Sequence, residues 1–230
     1  MKKKILSIFL CSLAAFSLLT FAGCKKKPAE DISEVITEEF VMNYLILVNN
    51  ENQIPANWEE NVETVEYENV YGDKFKIEKE TKDAFVALKN DLYDNDYIYI
   101  EAEDGGRTLT EQQDLYNSWV SFAGEDIAKE KIGLPNVSEA QTFLAVNICL
   151  DFDGLRVSDQ DEMLKNEDTF KKVHSKLAEH GFILRYPKGK ENITGHSYAP
   201  WHFRYIGDTE IAKYIMDNNL TLEEYLQSKQ

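Results

Sequence analysis

Four histidines, an arginine behind two glycines and a scatter of carboxylates are the groups from which this 230-residue chain can build chemistry. Arg107 follows Gly105-Gly106, and Gln112 opens the stretch that comes next. A guanidinium placed there can grip a carboxylate with its two-pronged fork. Taken alone, the same residue reads equally as a surface ion pair in an acidic protein. His202 stands beside Trp201 in "APWHFRY", and across a hairpin it could meet His196. With Asp151 and Asp153 these histidines form one alternative metal set, although the two aspartates end an apolar run where a turn favours such residues anyway. His174 and His180 fall on one helical stretch at a spacing that does not align them, and read as surface residues. Cys149 lies in apolar surroundings with no base nearby, which suits a small buried hydrophobe better than a nucleophile.

Regular elements must position these groups. "EEFVMNYLILVNN" reads as a helix or buried segment entering the domain, and residues 54–77 read as irregular, pinned by aromatics. Thr81 is expected to cap a helix whose Ala84, Phe85, Leu88 and Leu92 fall at helical spacing. "YIYIEAE" alternates as a strand does. "TEQQDLYNSWVSF" returns to helix, and "QTFLAVNICLDF" is a strand. Met163, Phe170, Val173 and Leu177 mark a helical stripe ended by Gly181. "FILRY" and "WHFRYI" are strands, "DTEIAKYIMDNN" is a helix, and Thr221 to Glu224 is a capping box. Helices and short strands mix without regular βαβ alternation, so the expected class is α+β, a small antiparallel sheet flanked by helices.

The amino end has a different character. Lys2, Lys3 and Lys4 precede an almost wholly apolar run from Ile5 to Phe21, and "FAGC" follows. This predicts an export signal over residues 1–23. A spanning anchor is the competing reading, but the run is short for one. The small pair before Cys24 resembles a bacterial lipobox, with Phe21 where leucine is usual. Cys24 would then carry lipid on the outer face of the cytoplasmic membrane. Residues 24–38 would form a tether and 39–230 a single domain. Of 25 basic residues, three lie in the signal, against 41 acidic residues that all lie beyond it, and the whole chain carries a formal −16. Such a surface repels nucleic acid and anionic headgroups, leaving the lipid as the only membrane contact.

The stretch "SEAQTFLAVN" from Ser138 to Asn147, the Arg-Thr…Gln piece and "GFILRYPKGKENITGHSYAPWHFRY" occur in an order that resembles VanY-type D-alanyl-D-alanine carboxypeptidases. These are zinc peptidases that trim peptidoglycan stem peptides. The likeness runs from about Asn43 to the C-terminus and implies the M15, hedgehog-like peptidase fold. It further implies that Arg107 and Gln112 hold a carboxylate and a backbone group, that Ser138 lines the cleft, and that Trp201 walls it. In that family the first motif reads Ser-Glu-His-Gln-x-Gly-x-Ala-x-Asp and the second contains Glu-x-Trp-His. Both histidines and the Asp bind zinc, and the Glu of Glu-x-Trp-His is the general base. Here Ser138, Glu139, Gln141, Ala145, Trp201 and His202 match. Ala140 replaces the first histidine, Asn147 the aspartate, Ala199 the base and Phe143 the glycine. The usual Ser-Gly-Tyr-Arg-Ser is Asp104-Gly105-Gly106-Arg107-Thr108.

Catalytic zinc takes three protein ligands and a water. Ala140 has no donor atom, and a neutral amide is a poor substitute for a carboxylate. Ala199 cannot move a proton. The expectation is therefore a chain with no cofactor and no catalysis, a degenerate relative that binds a peptidoglycan stem peptide or another peptide C-terminus through Arg107, Gln112, Ser138, Trp201 and His202. Arg107 in such a cleft needs a carboxylate partner, either a ligand or Glu139. Phe143 is expected to fill part of the metal's space. Two alternatives stay open: an active metallo-carboxypeptidase with a displaced metal site, and a scaffold lipoprotein with a vestigial cleft.

Overall fold

The computed structural model describes residues 42–229. The signal, Cys24 and the tether lie outside the described residues. After a short helix α1 (Trp58–Asn61), strands β1 (Thr64–Glu68) and β2 (Lys74–Glu78) form a two-stranded antiparallel hairpin. Then follow α2 (Lys79–Asp96), β3 (Tyr99–Asp104), α3 (Leu109–Ala123) and α4 (Glu125–Lys131). The second half contains β4 (Ala145–Phe152), β5 (Leu155–Val157), α5 (Gln160–Met163), α6 (Glu167–Leu177), β6 (Phe182–Leu184), α7 (Glu191–Thr194), β7 (His202–Tyr205), α8 (Thr209–Asp217) and α9 (Leu222–Gln227). The main sheet runs β3-β4-β7-β6, with β5 also paired to β4, and every pairing is antiparallel. The α+β expectation holds.

The central strand β4 is buried on both faces through most of its length, which is why it reads as a continuous apolar run. Helix α2 presents Phe85, Leu88 and Leu92 to the core, all fully buried. At roughly 1.5–3 kcal/mol for each such side chain, this face anchors the helix on the sheet. Its cap differs from the expectation. The Glu78 carboxylate accepts from the backbone N–H groups of Glu80 (3.0 Å) and Thr81 (2.8 Å), so Thr81 lies inside the helix. A carboxylate there also complements the positive helix end.

Residues 54–77 are more ordered than expected. β1 and β2 pair in register from Thr64↔Glu78 to Glu68↔Lys74. Their outward faces carry Glu and Lys, so only Tyr67 and Ile77 mark the buried side and the apolar alternation is weak. From Met42 on, the entering segment is non-helical, and Ile46 and Val48 join the core. The capping box at Thr221 forms, with Glu224 N–H donating to Thr221 Oγ1 at 3.1 Å.

Two buried arginines tie the sheet to the loop that precedes β4. Glu139 is enclosed between Arg185 and Arg204, each 2.6 Å from one of its carboxylate oxygens. Arg185 also reaches Glu223 of α9 at 2.8 Å. Arg204 donates to the Ile46 carbonyl at 2.7 Å. One carboxylate thereby fixes the tail, the entering segment and the start of β4. Burial by itself would raise the Glu139 pKa, but Arg204 and Arg185 outweigh it and hold the carboxyl at about 2.

Candidate functional site

The cleft lies beside the end of the sheet where β3, β4 and β7 meet, and encloses about 610 Å³. Arg107, Ser138, Ala140, Asn147, Ala199, Trp201 and His202 all line it, so residues from three distant sequence segments converge.

The Arg107 loop is held from both sides. Gly106 N–H donates to the Lys76 carbonyl (2.8 Å) and Arg107 N–H to the Ala140 carbonyl (3.0 Å). The next residue, Thr108, caps α3 in a box with Glu111. The guanidinium is thus delivered by a rigid helix start. Its Nε donates to Gln112 Oε1 at 2.8 Å, and its terminal nitrogen pairs with Asp104. The internal carboxylate partner is therefore Asp104 and not Glu139, which the two buried arginines consume. Gln112 is fully buried and its amide nitrogen donates to the Ile132 and Gly133 carbonyls at 2.9 and 3.0 Å. Its carboxamide is engaged in orienting Arg107 and joining α3 to the end of α4, and it does not line the cleft.

Asn147 and His202 are direct partners across β4 and β7. Their side chains meet at 2.7 Å between Asn147 Oδ1 and His202 Nδ1. With the amide oxygen accepting, Nδ1 carries the proton and Nε2 is left as an acceptor, for which the structure gives no partner. Burial pushes the His202 imidazolium pKa down to about 3, with Arg185 and Arg107 acting in the same direction. The ring is neutral at physiological pH. His196 does not meet His202 directly. The Tyr186 ring lies between them, 4.4 Å from His196 and 4.8 Å from His202 between centroids.

The remaining spare ligands disperse. Asp151 accepts from the Tyr71 hydroxyl and from Gly154 N–H, both at 2.6 Å. Asp153 occupies the turn that follows, with φ 56°. His174 is partly buried and bonds the Pro200 carbonyl at 2.8 Å, while His180 bonds Asp91 at 3.0 Å. Both are half-buried and not the surface residues that their spacing suggested. Phe143 is fully buried in the main core, beneath the Arg107 loop and away from the cleft lining. Its ring is not part of the lining that Ala140, Asn147 and His202 form. Cys149 is buried and its thiol is pushed up to about 11 by that burial. The roles of Tyr186, Asp104 and Trp119 in the cleft were not evident from the sequence. Only Asp104 gave a signal, a carboxylate just ahead of the Gly-Gly-Arg turn.

With this geometry in place, comparison with known proteins is informative. Residues 74–208 match the family model described as "VanY: D-alanyl-D-alanine carboxypeptidase". The protein YodJ of Bacillus subtilis (strain 168), named as a carboxypeptidase, is 37% identical over 195 residues, covering 80% of this chain and 67% of that protein. The chain spans about two thirds of the length of the curated relatives it matches. Among solved structures, the LD-carboxypeptidase LdcB, described in terms of peptidoglycan recognition, superposes with a TM-score of 0.69 at 35% identity. That likeness covers 80% of this chain and 86% of LdcB. A mutant of the vancomycin-resistance D,D-pentapeptidase VanY in complex with Zn(II) superposes with a TM-score of 0.64 at 31% identity, covering 80% and 98%.

The Zn(II) complex corrects the expectation of a chain without a cofactor: relatives of this fold carry zinc, and nothing in the structure shows the metal absent here. The donors that this chain brings to the corresponding place are a separate matter. His202 Nε2 fits such a role. Asn147 Oδ1 is already bonded to the same ring, and Ala140 and Ala199 offer nothing. Among the described residues, no group of three or more His, Cys, Asp or Glu stands together as a metal site. The residues present therefore do not compose a three-ligand cage.

Proposed function

The chain belongs to the VanY family of D-alanyl-D-alanine carboxypeptidases, which act on peptidoglycan peptides, and from that premise we propose that it binds such peptides by their C-terminal carboxylate without cleaving them. We further propose that it does so as an exported lipoprotein attached through Cys24.

The observation that carries the reading is that, among the described residues, no free carboxylate stands beside His202 to act as a base. Ala199 stands where the resemblance places the general base, and its backbone is spent on local structure: its N–H donates to Tyr186 and its carbonyl accepts from His202 N–H. The other acidic groups along the cleft do not replace it. Glu139 is locked at about 2 by two arginines, Glu103 pairs with Arg156 at 3.0 Å, and Asp104 pairs with Arg107. Asp161 is exposed on α5. A neutral His202 with so low a pKa is a feeble base. Recognition, in contrast, keeps its parts. Arg107 is rigidly presented, Ser138 and Trp201 line the same space, and a ligand carboxylate meets a guanidinium that it shares with Asp104.

The test is a calorimetric titration of the protein with a pentapeptide ending in D-Ala-D-Ala, run beside an assay for released D-alanine in zinc-containing buffer. Saturable binding, weakened at least about tenfold in Arg107→Ala, roughly 1.4 kcal/mol, with no D-alanine above the blank, is the expected result. Released D-alanine sinks the non-cleaving part. Absence of binding sinks the rest. Loss of the protein from the membrane fraction in Cys24→Ala tests the anchor.

A further inference from the structure

Trp119 lines the same cleft as Arg107, yet neither it nor its neighbour Phe122 belongs to a hydrophobic core cluster. The two rings meet edge to face, 6.1 Å between centroids at 84°. Phe122 is 84% exposed. Keeping a large apolar ring in water sacrifices the hydrophobic stabilisation that burial would give, and an exposed Phe122 set against a half-buried Trp119 of the cleft lining marks a binding surface. The same lining adds Leu164, 41% exposed, and Tyr198.

The position of the pair along α3 says what meets it. Arg107 precedes the helix cap Thr108 directly. At 1.5 Å per residue, Trp119 lies about 16 Å further along the axis and Phe122 about 21 Å. An extended peptide advances about 3.3 Å per residue, so five residues span about 17 Å. A pentapeptide whose carboxylate sits on Arg107 and whose chain follows the cleft brings its amino end to Trp119. In peptidoglycan that end is joined to a sugar. A pyranose ring offers a flat C–H face suited to an aromatic surface, and it carries no charge for a chain of net −16 to repel.

We propose that Trp119 and Phe122 form a saccharide platform, on which the sugar attached to the amino end of the bound peptide stacks. This rests on the peptide-binding reading above. Helix α3 then acts as a ruler, with a carboxylate grip at its start and a sugar platform three turns on.

The experiment compares two ligands, a free pentapeptide ending in D-Ala-D-Ala and the same peptide joined to its disaccharide, by titration against wild type, Phe122→Ala and Trp119→Ala/Phe122→Ala. Phe122 is exposed enough for its variant to fold unchanged. Wild type binds the disaccharide peptide roughly three- to tenfold more tightly, or about 0.7–1.4 kcal/mol, within the range expected of one aromatic contact. The preference shrinks in Phe122→Ala, which keeps its affinity for the free peptide, and vanishes in the double variant. Equal wild-type affinity for both ligands overturns the platform and leaves peptide binding standing. A double variant that loses both ligands equally makes the pair a peptide wall and also overturns it. Failure of wild type to bind either ligand removes the peptide-binding reading, and the platform falls with it.

Discussion

A β-carbon placed on Gly106 would lie 2.0 Å from Cδ1 of Phe143 and 2.9 Å from the carbonyl oxygen of Lys76. Phe143 itself holds φ 61°, a left-handed conformation that favours glycine. In the family that the chain resembles, these two positions carry tyrosine and glycine respectively. Here the ring comes from the residue that leads into β4 and the glycine sits in the arginine loop, so bulk has moved from one loop to the other while the space between them stays filled. Gly106→Ala should destabilise the protein by about 2–3 kcal/mol, because a fully buried ring and a backbone carbonyl must both give way. Phe143→Gly removes the ring and relieves the backbone. In denaturant unfolding, the double variant should lose less than the two single losses combined. Simple additivity would mean that the contact does not carry the cost.

Glu139 predicts an acid dependence. Its folded pKa lies at about 2, below the ordinary value of 4.5. A carboxyl depressed in this way stabilises the fold at pH values above the unfolded pKa. That contribution is lost as pH falls from about 4.5 to about 2. Glu139→Gln leaves Arg204 buried without a counter-charge and Arg185 with Glu223 alone, and should cost about 3–5 kcal/mol at neutral pH. Its unfolding free energy should also fall less steeply than that of wild type between pH 4.5 and pH 2.5, as followed by urea titration. A parallel slope in the two proteins would assign the acid sensitivity to other carboxylates.

The strongly periodic elements were legible in the sequence. The apolar face of α2, the continuous run of β4 and the capping box at Thr221 follow from spacing alone. The hairpin β1–β2 was not, because its exposed Glu and Lys positions mask the alternation. The set of residues along the cleft was largely legible through resemblance. Their partners were not. Asp104 takes Arg107, Gln112 is spent on carbonyls of another loop, and Tyr186 separates two histidines, and each of these depends on how distant segments pack. Glu139 was offered as a partner for Arg107, and only the fold shows that two buried arginines claim it.

Cys149 should be inert in the folded protein. It is fully buried, its sulfur lies 3.6 Å from the Glu101 carbonyl, and burial raises its pKa to about 11. The thiolate is the reactive form, and both access and ionisation oppose it. At pH 8, labelling with an aromatic disulfide reagent should be at least about 100-fold slower in native buffer than in urea. Comparable rates would show that the strand pair β3–β4 opens readily.

Asp104 and the peptide compete for Arg107. The family that the chain resembles has serine at this position, and here a carboxylate bonds the guanidinium that would otherwise meet the ligand. A ligand carboxylate must displace Asp104 or share the fork with it. Either adds negative charge beside a pair that is only partly exposed to solvent, with Arg107 19% and Asp104 34% exposed. Asp104→Ser frees the fork, while Gln112 still orients it through the 2.8 Å bond to Arg107 Nε. Affinity for a peptide carboxylate should rise about three- to tenfold, the worth of a partly screened ion pair of about 0.7–1.4 kcal/mol. The gain should shrink in high salt, since it is a difference between charged groups within a Debye length. The readout is the dissociation constant of the D-Ala-D-Ala pentapeptide at low and high ionic strength. If Asp104→Ser weakens binding, the aspartate instead holds Arg107 in its productive pose, and its pairing is part of the binding site.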